Sequence, residues 1–146
     1  GAKNGARLLA LFGSDRERFE DAADIQALSG VVPLTKQSGK SKEVLFRWAC
    51  RKEGRNALFL FAFTTLRQSV WARAFYEHQR ENGHSHARAL RALGAKWLKI
   101  IFRMWKTRTP YDEFRYLRSL RDHGSPLVDH IEKSEKCGKL LEKLLT

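Results

Sequence analysis

Residues 85–108 carry an extended helical pattern with two chemically different faces. Apolar side chains recur there every three or four positions and so share one face of a helix, as Leu90, Leu93, Trp97, Ile101, Met104 and Trp105. The opposite face is almost purely basic, with Arg88, Lys96, Lys99, Arg103 and Lys106. Such a helix needs partners for its apolar face. The pattern therefore predicts a helical bundle with a cationic outer side.

Helices are also predicted before this segment. The apolar patterns at 6–12 and 22–28 each lead to a glycine that can end a helix, Gly13 and Gly30. The run "RNALFLFAFTTLRQ" at 55–68 is apolar on nearly every face, which is typical of a central buried helix.

The remaining helices are predicted from their capping residues. Ser69 is expected to cap a helix that ends at Gly83. Thr109 is expected to cap another, with Pro110 at its first position. We divide the chain into a domain at 1–126 and an amphipathic tail at 127–146, which is either a marginal helix or a partner-binding extension.

One segment departs from the helical pattern, the run "VVPLTKQSGKSKEVLFRWAC" at 31–50. Pro33 and Gly39 break helices, while the flanking residues are β-branched or aromatic enough for two short strands. Ser38 is predicted to lie in the connection between these strands. The expected fold is therefore mainly α, a compact helical bundle with one short β-like or extended excursion that carries the Ser-Gly loop.

The charge of the chain narrows the class of partner. Lys and Arg number 28 against 16 Asp and Glu, which leaves a net charge of +12. Basic side chains gain affinity for polyanions by releasing the counterions condensed on phosphates. An acidic membrane surface is the competing explanation, but no apolar run approaches the roughly 20 residues that span a bilayer. Cys50 and Cys137 lack CxxC spacing, which argues against a disulfide framework or zinc site and favours an intracellular setting.

Cations are concentrated around the Ser-Gly loop, as Lys36, Lys40, Lys42, Arg47, Arg51, Lys52 and Arg55. A solvated loop with ordinary surface charge is one reading. Together with the basic helical face, however, this segment favours a phosphate-binding surface. Phe46, Trp48 and Trp71 have the chemistry to stack on bases, although aromatic residues at these spacings are more typical of a core.

Ser38 is a candidate nucleophile, but Ser-Gly alone is among the weakest of signals, and most such serines only satisfy hydrogen bonds of a turn. A serine that attacks a phosphodiester must lose its proton, and the added charge on phosphorus must be neutralised. Gly39 would allow close approach of a nucleic-acid backbone, and nearby lysines and arginines could hold the non-bridging oxygens. No general base is apparent in the sequence.

Metal and tyrosine chemistry are not indicated. The "HSH" at 84–86 has poor ligand geometry, so the histidines are expected to be surface or capping residues, and the acidic residues do not cluster as a two-metal nuclease requires. No metal site is therefore predicted in this chain. Tyr76, Tyr111 and Tyr116 are expected to pack in the interior rather than act as recombinase nucleophiles.

The order of these motifs resembles a known family. The run "LLALFGSDRERFEDAADIQALSGVVPLTKQSGKSKEVLFRWACRKEGRNAL" and the later "SVWARAFYEHQRENGHSHARALRALGAKWLKIIFRMWKTRTPYDEFRYLRSL" resemble the C-terminal domain of the bridge-RNA-guided insertion-sequence transposases. Those proteins pair an N-terminal RuvC-like DEDD nuclease domain with a C-terminal catalytic-serine domain. The resemblance covers about 6–126.

This resemblance implies roles for particular residues. Ser38 matches the nucleophilic serine, and Gly30 and Pro33 match the turn that presents it. Tyr111 and Asp112 match a motif with a structural, helix-capping role. Lys40, Arg47 and Arg55 match basic positions that lie close to the DNA in that family. With the charge pattern described above, the expected nucleic-acid-binding residues are Lys36, Gly39, Lys40, Lys42, Arg47, Arg51, Arg55, Lys96, Lys99, Arg103 and Lys106.

The resemblance also implies partners and a setting. They are DNA, a guide RNA that selects the target by base pairing, and further copies of the full-length protein, in the bacterial cytoplasm near the nucleoid and away from membranes. Mg²⁺ is expected in the DEDD domain and no cofactor in this chain. Because the opening "GAKNGARLL" resembles the second half of a helix-hairpin-helix, we expect the chain to be part of a longer polypeptide, inactive without its DEDD domain.

The sequence thus predicts a serine-dependent DNA transposase or recombinase. Two alternatives stay open. One is a non-catalytic basic module that binds DNA or RNA, in which Ser38 is only a turn residue. The other is an assembly role that depends on the leucine-bearing tail.

Overall fold

A computed structural model describes residues 2–32, 34–38, 41–45 and 51–146, with the backbone alone for Ala2, 34–38 and 41–45. Its helices are α1 (Ala2–Phe12), α2 (Ala22–Ser29), α3 (Lys52–Thr65), α4 (Val70–Glu81), α5 (His86–Thr107), α6 (Glu113–Asp122), α7 (Pro126–Lys133) and α8 (Glu135–Leu145). Its strands are β1 (Leu34–Ser38) and β2 (Ser41–Leu45). The prediction of a mainly helical chain with one β excursion that carries Ser38 is confirmed.

The two strands form an antiparallel hairpin whose register runs from Leu34 opposite Leu45 to Ser38 opposite Ser41. Ser38 is therefore the last residue of β1, and its predicted place in the connection is wrong by one position. The ladder extends further than expected because Ser38 and Ser41 still pair. The connection consists of residues 39–40, which lie outside the described residues.

The chain divides into two units. The first comprises Gly1–Phe61 and Gly94–Thr109, and the second comprises Ala62–Leu93 and Pro110–Thr146. Two of the three boundaries fall inside α3 and α5, and the third lies between α5 and α6.

The first unit has an apolar core built from α1, α2, α3 and the C-terminal part of α5. Its buried members are Leu8, Leu11, Phe12, Phe19, Ile25, Val31, Ala57, Leu58 and Leu98. Each large side chain in such a core contributes about 1.5–3 kcal/mol on burial. Phe12 also contacts the half-buried Trp105, with ring centroids 5.4 Å apart. Helix α5 can approach α3 closely because Gly94 faces Leu58, whose Cγ would lie 3.2 Å from an added Cβ.

The second unit packs α7 and α8 against α4. Val70, Ala74 and Cys137 are buried at its centre. Half-buried apolar residues surround them, namely Leu117, Ile131, Leu140, Leu141 and Leu144. Residues 127–146 therefore form most of two helices, and much of their apolar stripe is used inside this chain. Leu145 of the same segment stays exposed.

The start of α6 differs from the prediction. The N-cap is Asp112, whose carboxylate accepts a 3.0 Å hydrogen bond from the Arg115 backbone N–H, and Thr109 and Pro110 precede the helix. The helix begins late because Asp112 has an extended backbone conformation and supplies the cap. Glu113, the first residue of the helix, reaches across to the N-terminus of α4. Its carboxylate accepts hydrogen bonds from the Val70 N–H at 2.8 Å and the Ser69 hydroxyl at 3.0 Å. The capping role implied for Asp112 is confirmed.

The prediction that α3 is buried on nearly every face is wrong. Ala57, Leu58 and Ala62 are fully buried, but Leu60 is 50% exposed and Phe63 is 43% exposed. A helix that contacts neighbours on one side keeps solvent on the other, even where its sequence is apolar all round.

Candidate nucleic-acid interface

The chain on both sides of the hairpin that carries Ser38 lies at the end of α2. That helix ends at Gly30, which adopts a left-handed conformation with φ 68°. Val31 then enters the core of the first unit. On the returning side, the backbone N–H of Arg51 donates a 3.0 Å hydrogen bond to the carbonyl oxygen of Leu28. The chain therefore leaves α2 and returns to its last turn.

Within the hairpin, the described backbone fixes which residues are neighbours. Lys36 pairs with Glu43, Gln37 with Lys42, and Ser38 with Ser41. The side chains of these residues lie outside the described part of the structure, as do Pro33, Gly39, Lys40, Phe46, Arg47 and Trp48 entirely. The roles predicted for Ser38 and for the cations of this segment stay predictions.

Two predicted cations lie where the chain returns from the hairpin. Arg51 directly precedes α3 and is exposed, and Arg55 follows one turn later and is half-buried. The Arg55 backbone N–H donates a 3.0 Å hydrogen bond to the carbonyl oxygen of Arg51, so both belong to the first turn of the same helix. Lys52 is exposed between them.

The basic face of α5 exists, but its members differ in accessibility. Lys99 and Arg103 are exposed and lie one turn apart. Lys106 is half-buried, with its Nζ 3.6 Å from a carboxylate oxygen of Glu17 and 5.9 Å from the ring centroid of Phe102. Among the cations of this face that belong to the first unit, Lys99 and Arg103 are therefore best placed to meet a phosphate. Arg88, near the start of α5 in the second unit, is also exposed.

Lys96 differs electrostatically from the rest of the face. It is half-buried, and burial together with the positive charge of Lys99 lowers the pKa of its ammonium. Both effects disfavour the charged form, since burial removes hydration and like charges repel. A phosphate placed beside Lys96 and Lys99 would relieve that repulsion.

Sequence reasoning missed two further arginines of the first unit. Arg16 donates a hydrogen bond to the Trp105 carbonyl and lies over the Trp105 ring, 5.5 Å from the centroid. Arg18 lies 4.9 Å from the ring centroid of Phe19. The run "DRERF" at 15–19 is a signal for the Arg18–Phe19 contact, but not for that of Arg16 with Trp105, which lies 89 positions away.

The interior packing predicted for the tyrosines of the second unit is met only in part, since Tyr76, Tyr111 and Tyr116 are all half-buried and the Tyr76 hydroxyl makes an exposed hydrogen bond. Trp71 is fully buried, and its ring centroid lies 4.8 Å from that of Tyr116. Its Nε1–H donates a 2.6 Å hydrogen bond to the hydroxyl of Tyr111, which in turn donates to Glu113. Burial and the Glu113 carboxylate raise the pKa of Tyr111, so this phenol is held protonated. A protonated, internally bonded phenol is a poor nucleophile.

The fold also brings together a group that sequence reasoning did not find. One nitrogen each of His78 and His130 and a carboxylate oxygen of Glu81 lie within 4.8 Å of one another. His78 and Glu81 are three positions apart on α4, a spacing that sequence inspection could have noticed. His130 comes from α7, and only folding reveals its proximity.

Across the described residues, none of the helices combines the length and the apolar character that a bilayer span requires.

The chain is similar to proteins encoded by bacterial insertion elements. Residues 1–77 match a family model described as "Transposase IS116/IS110/IS902 family". Over 111 residues the chain is 40% identical to the mini-circle putative transposase for IS117 of Streptomyces coelicolor, which covers 76% of the chain and 27% of that relative. It is 33% identical over 114 residues to the IS110 uncharacterized 43.6 kDa protein of the same organism, covering 77% of the chain and 28% of the relative.

A third relative, the IS900 uncharacterized 42 kDa protein of Mycobacterium paratuberculosis, is 28% identical over 110 residues, covering 73% of the chain and 27% of the relative. The chain thus spans about a quarter of the length of these curated relatives.

Proposed function

Since this chain belongs to the IS116/IS110/IS902 transposase family, we propose that it is the C-terminal, serine-bearing part of a DNA transposase and that Ser38 is the nucleophile. The observation that carries the proposal is the placement of Ser38. It is the last residue of β1 and pairs with Ser41 at the tip of the hairpin, and the Arg51–Leu28 hydrogen bond joins the chain on the two sides of that hairpin.

The proposed step is a transesterification. The Ser38 Oγ forms a bond to the phosphorus of a DNA phosphodiester and gives up its proton, while the bond between phosphorus and a deoxyribose oxygen breaks. The released deoxyribose oxygen takes up a proton. The resulting phosphoserine diester keeps the energy of the broken bond, so a second hydroxyl can reverse the step and rejoin the DNA to a new end.

The cations of the hairpin and of α3 are proposed to bind the scissile phosphate. An in-line attack adds negative charge to the non-bridging oxygens, which guanidinium and ammonium groups stabilise. Lys36, Lys40, Arg47, Arg51 and Arg55 are assigned this role. Arg51 is a described member of this set and its side chain is exposed, which leaves its guanidinium accessible to a nucleic-acid phosphate.

The cationic face of α5 is proposed to follow a nucleic-acid backbone. Lys99 and Arg103 are exposed one turn apart, and phosphate contacts of this kind position a protein without reading sequence. Target choice is assigned to base pairing with a guide RNA. In this proposal Lys96 and Lys106 contribute less than Lys99 and Arg103, since one is half-buried with a lowered pKa and the other lies beside Glu17.

Mg²⁺ is assigned to a RuvC-like DEDD domain outside this chain. Among the described residues, the group with ligand geometry offers two imidazoles and one carboxylate, whereas Mg²⁺ prefers oxygen ligands. When bound in the DEDD domain, the ion would stabilise charge on the reacting phosphate. The chain alone is therefore expected not to cleave DNA, and cleavage is proposed to need full-length subunits that assemble together.

The test is covalent capture of DNA by the full-length transposase with guide RNA and Mg²⁺. A nicked suicide substrate traps the phosphoserine intermediate, which peptide mapping then locates. We expect Ser38→Ala to abolish the adduct and Ser41→Ala, the variant of its paired neighbour, to retain it. An adduct that persists in Ser38→Ala would remove this serine from the mechanism.

A non-catalytic nucleic-acid-binding module is the second candidate, and the exposed pair Lys99 and Arg103 favours it. Such a module would bind DNA or RNA with an affinity that falls steeply as salt rises. It would form no adduct with the suicide substrate in either the parent protein or its serine variants. The same capture experiment therefore separates the two functions.

A further inference from the structure

We propose that His78, Glu81 and His130 form a binding site for a transition-metal ion of the Zn²⁺ class, which links α7 to α4. Their three ligand atoms lie within 4.8 Å of one another. The site belongs to the second unit and uses none of the residues assigned to strand cleavage. It is independent of the proposed nucleophile.

The backbone places the three side chains on facing surfaces of two helices. His78 and Glu81 are three positions apart on α4, so they project from the same side of that helix. His130 lies in α7, and its ring centroid is 6.3 Å from that of His78. The His130 Nδ1 is 3.5 Å from a carboxylate oxygen of Glu81.

Coordination requires the ligand atoms to move closer together, by up to about 1.5 Å for the widest pair. Bonds of about 2.0–2.1 Å in a tetrahedral zinc site place neighbouring ligand atoms about 3.3 Å apart. The pair formed by Glu81 and His130 already approaches that spacing at 3.5 Å. The Glu81 side chain is 65% exposed, so it can change rotamer without disturbing the packed interior.

A second carboxylate orients His130 for this role. The His130 Nε2 lies 3.2 Å from an oxygen of Glu77, on the opposite edge of the ring from Glu81. Glu77 is itself held in place, since it accepts 2.7 Å hydrogen bonds from the Ser134 hydroxyl and from the Arg73 Nε–H. If the His130 Nε2–H donates to Glu77, the Nδ1 lone pair faces Glu81. Carboxylates commonly set the tautomer of metal-bound histidine in this way.

The donor set selects the class of ion. Two imidazoles and one carboxylate suit zinc and its first-row neighbours, whereas Mg²⁺ and Ca²⁺ prefer oxygen ligands. Three protein ligands leave a fourth position for water or an exogenous ligand. Because the ligands come from two helices, the bound ion would also resist separation of α7 from α4.

The test is titration of the metal-free 146-residue chain with Co²⁺, a spectroscopic substitute for Zn²⁺. We expect visible absorption typical of tetrahedral Co²⁺ to saturate at one ion per chain, and stoichiometric Zn²⁺ to abolish it. His78→Gln and His130→Asn should each weaken binding at least tenfold. Glu81→Gln changes an exposed side chain, so it should weaken binding while leaving the unfolding temperature of the metal-free chain unchanged.

His123→Gln provides the matched control. His123 is exposed at the end of α6, where its Nδ1 contacts the carbonyl of Ser119 within its own helix. The His123→Gln variant should bind Co²⁺ with the same affinity as the parent. Glu77→Gln should weaken binding roughly 10- to 100-fold, the usual effect of removing a partner that orients a ligand.

Three results would each overturn the proposal. The first is that the parent shows no saturable binding of Co²⁺. The second is that Glu81→Gln binds Co²⁺ with the affinity of the parent. The third is that His123→Gln loses as much affinity as the ligand variants His78→Gln and His130→Asn.

Discussion

Arg51 and Leu28 are joined by a 3.0 Å hydrogen bond between the backbone N–H of the first and the carbonyl oxygen of the second. Leu28 lies in the last turn of α2, and Arg51 directly precedes α3. The bond therefore closes the chain on both sides of the hairpin that carries Ser38. A loop closed at its base has fewer conformations, which favours reproducible placement of a reactive group near its tip.

Arg51→Pro removes the N–H that makes this bond. We expect the free energy of unfolding to be lower by about 0.5–1.5 kcal/mol, the usual net value of one hydrogen bond. We also expect the full-length variant to cleave DNA more slowly. Arg51→Gln is the control, since it removes the guanidinium but keeps the backbone donor. Denaturant unfolding of both variants measures the difference, and equal stabilities would show that the bond contributes nothing.

The exposed cations of α5 predict a particular salt dependence of nucleic-acid binding. Lys99→Gln and Arg103→Gln should each reduce the slope of log K against log salt by about 0.9 on duplex DNA, because each removes one phosphate contact. Lys106→Gln should reduce it less, since Lys106 is half-buried beside Glu17. Arg118, exposed on α6, supplies the control Arg118→Gln. Equal slopes for all four variants would contradict the assignment of this face.

Alanine substitutions at two helical glycines are expected to change the stability of the chain in opposite directions. At Gly54 in α3, an added Cβ would lie 2.8 Å from the Cδ1 of the buried Leu11, so Gly54→Ala should destabilise the chain. Overpacking of this kind costs about 1–3 kcal/mol, and better helix propensity offsets roughly 1 kcal/mol of it.

Gly138 in α8 is the matched case, since nothing lies within 4 Å of its added Cβ. There Gly138→Ala should stabilise by up to about 1 kcal/mol through helix propensity alone. Thermal unfolding of the two variants is the measurement. Stabilisation in both would mean that α1 and α3 pack less tightly than described.

The stability of the chain is expected to depend on pH through ionisation of the Glu77 carboxyl. Burial alone would raise the pKa of its carboxyl, but hydrogen bonds from Ser134, Arg73 and His130 outweigh burial and lower the pKa below its ordinary value of 4.5. The stabilisation is therefore fully present above that value and is lost as the pH falls through the lowered folded pKa.

Glu77→Gln tests this dependence. Without metal, the variant should be less stable than the parent by about 1 kcal/mol at neutral pH, and the difference should shrink as the pH falls below 4.5. Denaturant unfolding at a series of pH values measures it. A difference that stays constant down to acid pH would show that the charged form of Glu77 does not stabilise the fold.

Local signals predicted several helix ends correctly. Gly13, Gly30 and Gly83 adopt positive φ angles of 77°, 68° and 79° where their helices end. Ser69 caps α4 through a hydrogen bond from the Ala72 N–H, as expected. These features depend on a few consecutive residues, so the sequence alone contains them. The start of α6 was misplaced because Asp112, and not Thr109, supplies the capping side chain.

The properties of the side chains also fall into two classes, those that follow from the local sequence and those that depend on distant residues. The basic face of α5 follows from the helical period, but its accessibility does not, since Glu17 beside Lys106 belongs to another part of the chain. His78 and Glu81 are neighbours on α4 by spacing, whereas His130 joins them only after α7 packs against that helix. The exposure of Leu60 in an all-apolar segment likewise depends on which neighbours are present.

The sequence by itself therefore determined the helical character, the single β excursion at Ser38 and the excess of positive charge, because composition and short-range periodicity encode these properties. Only the tertiary structure decided that the hairpin closes at Leu28 and Arg51, and that two histidines and a glutamate meet between α4 and α7. Contacts between residues distant in sequence arise when whole helices and strands pack together, so short-range sequence patterns do not predict them.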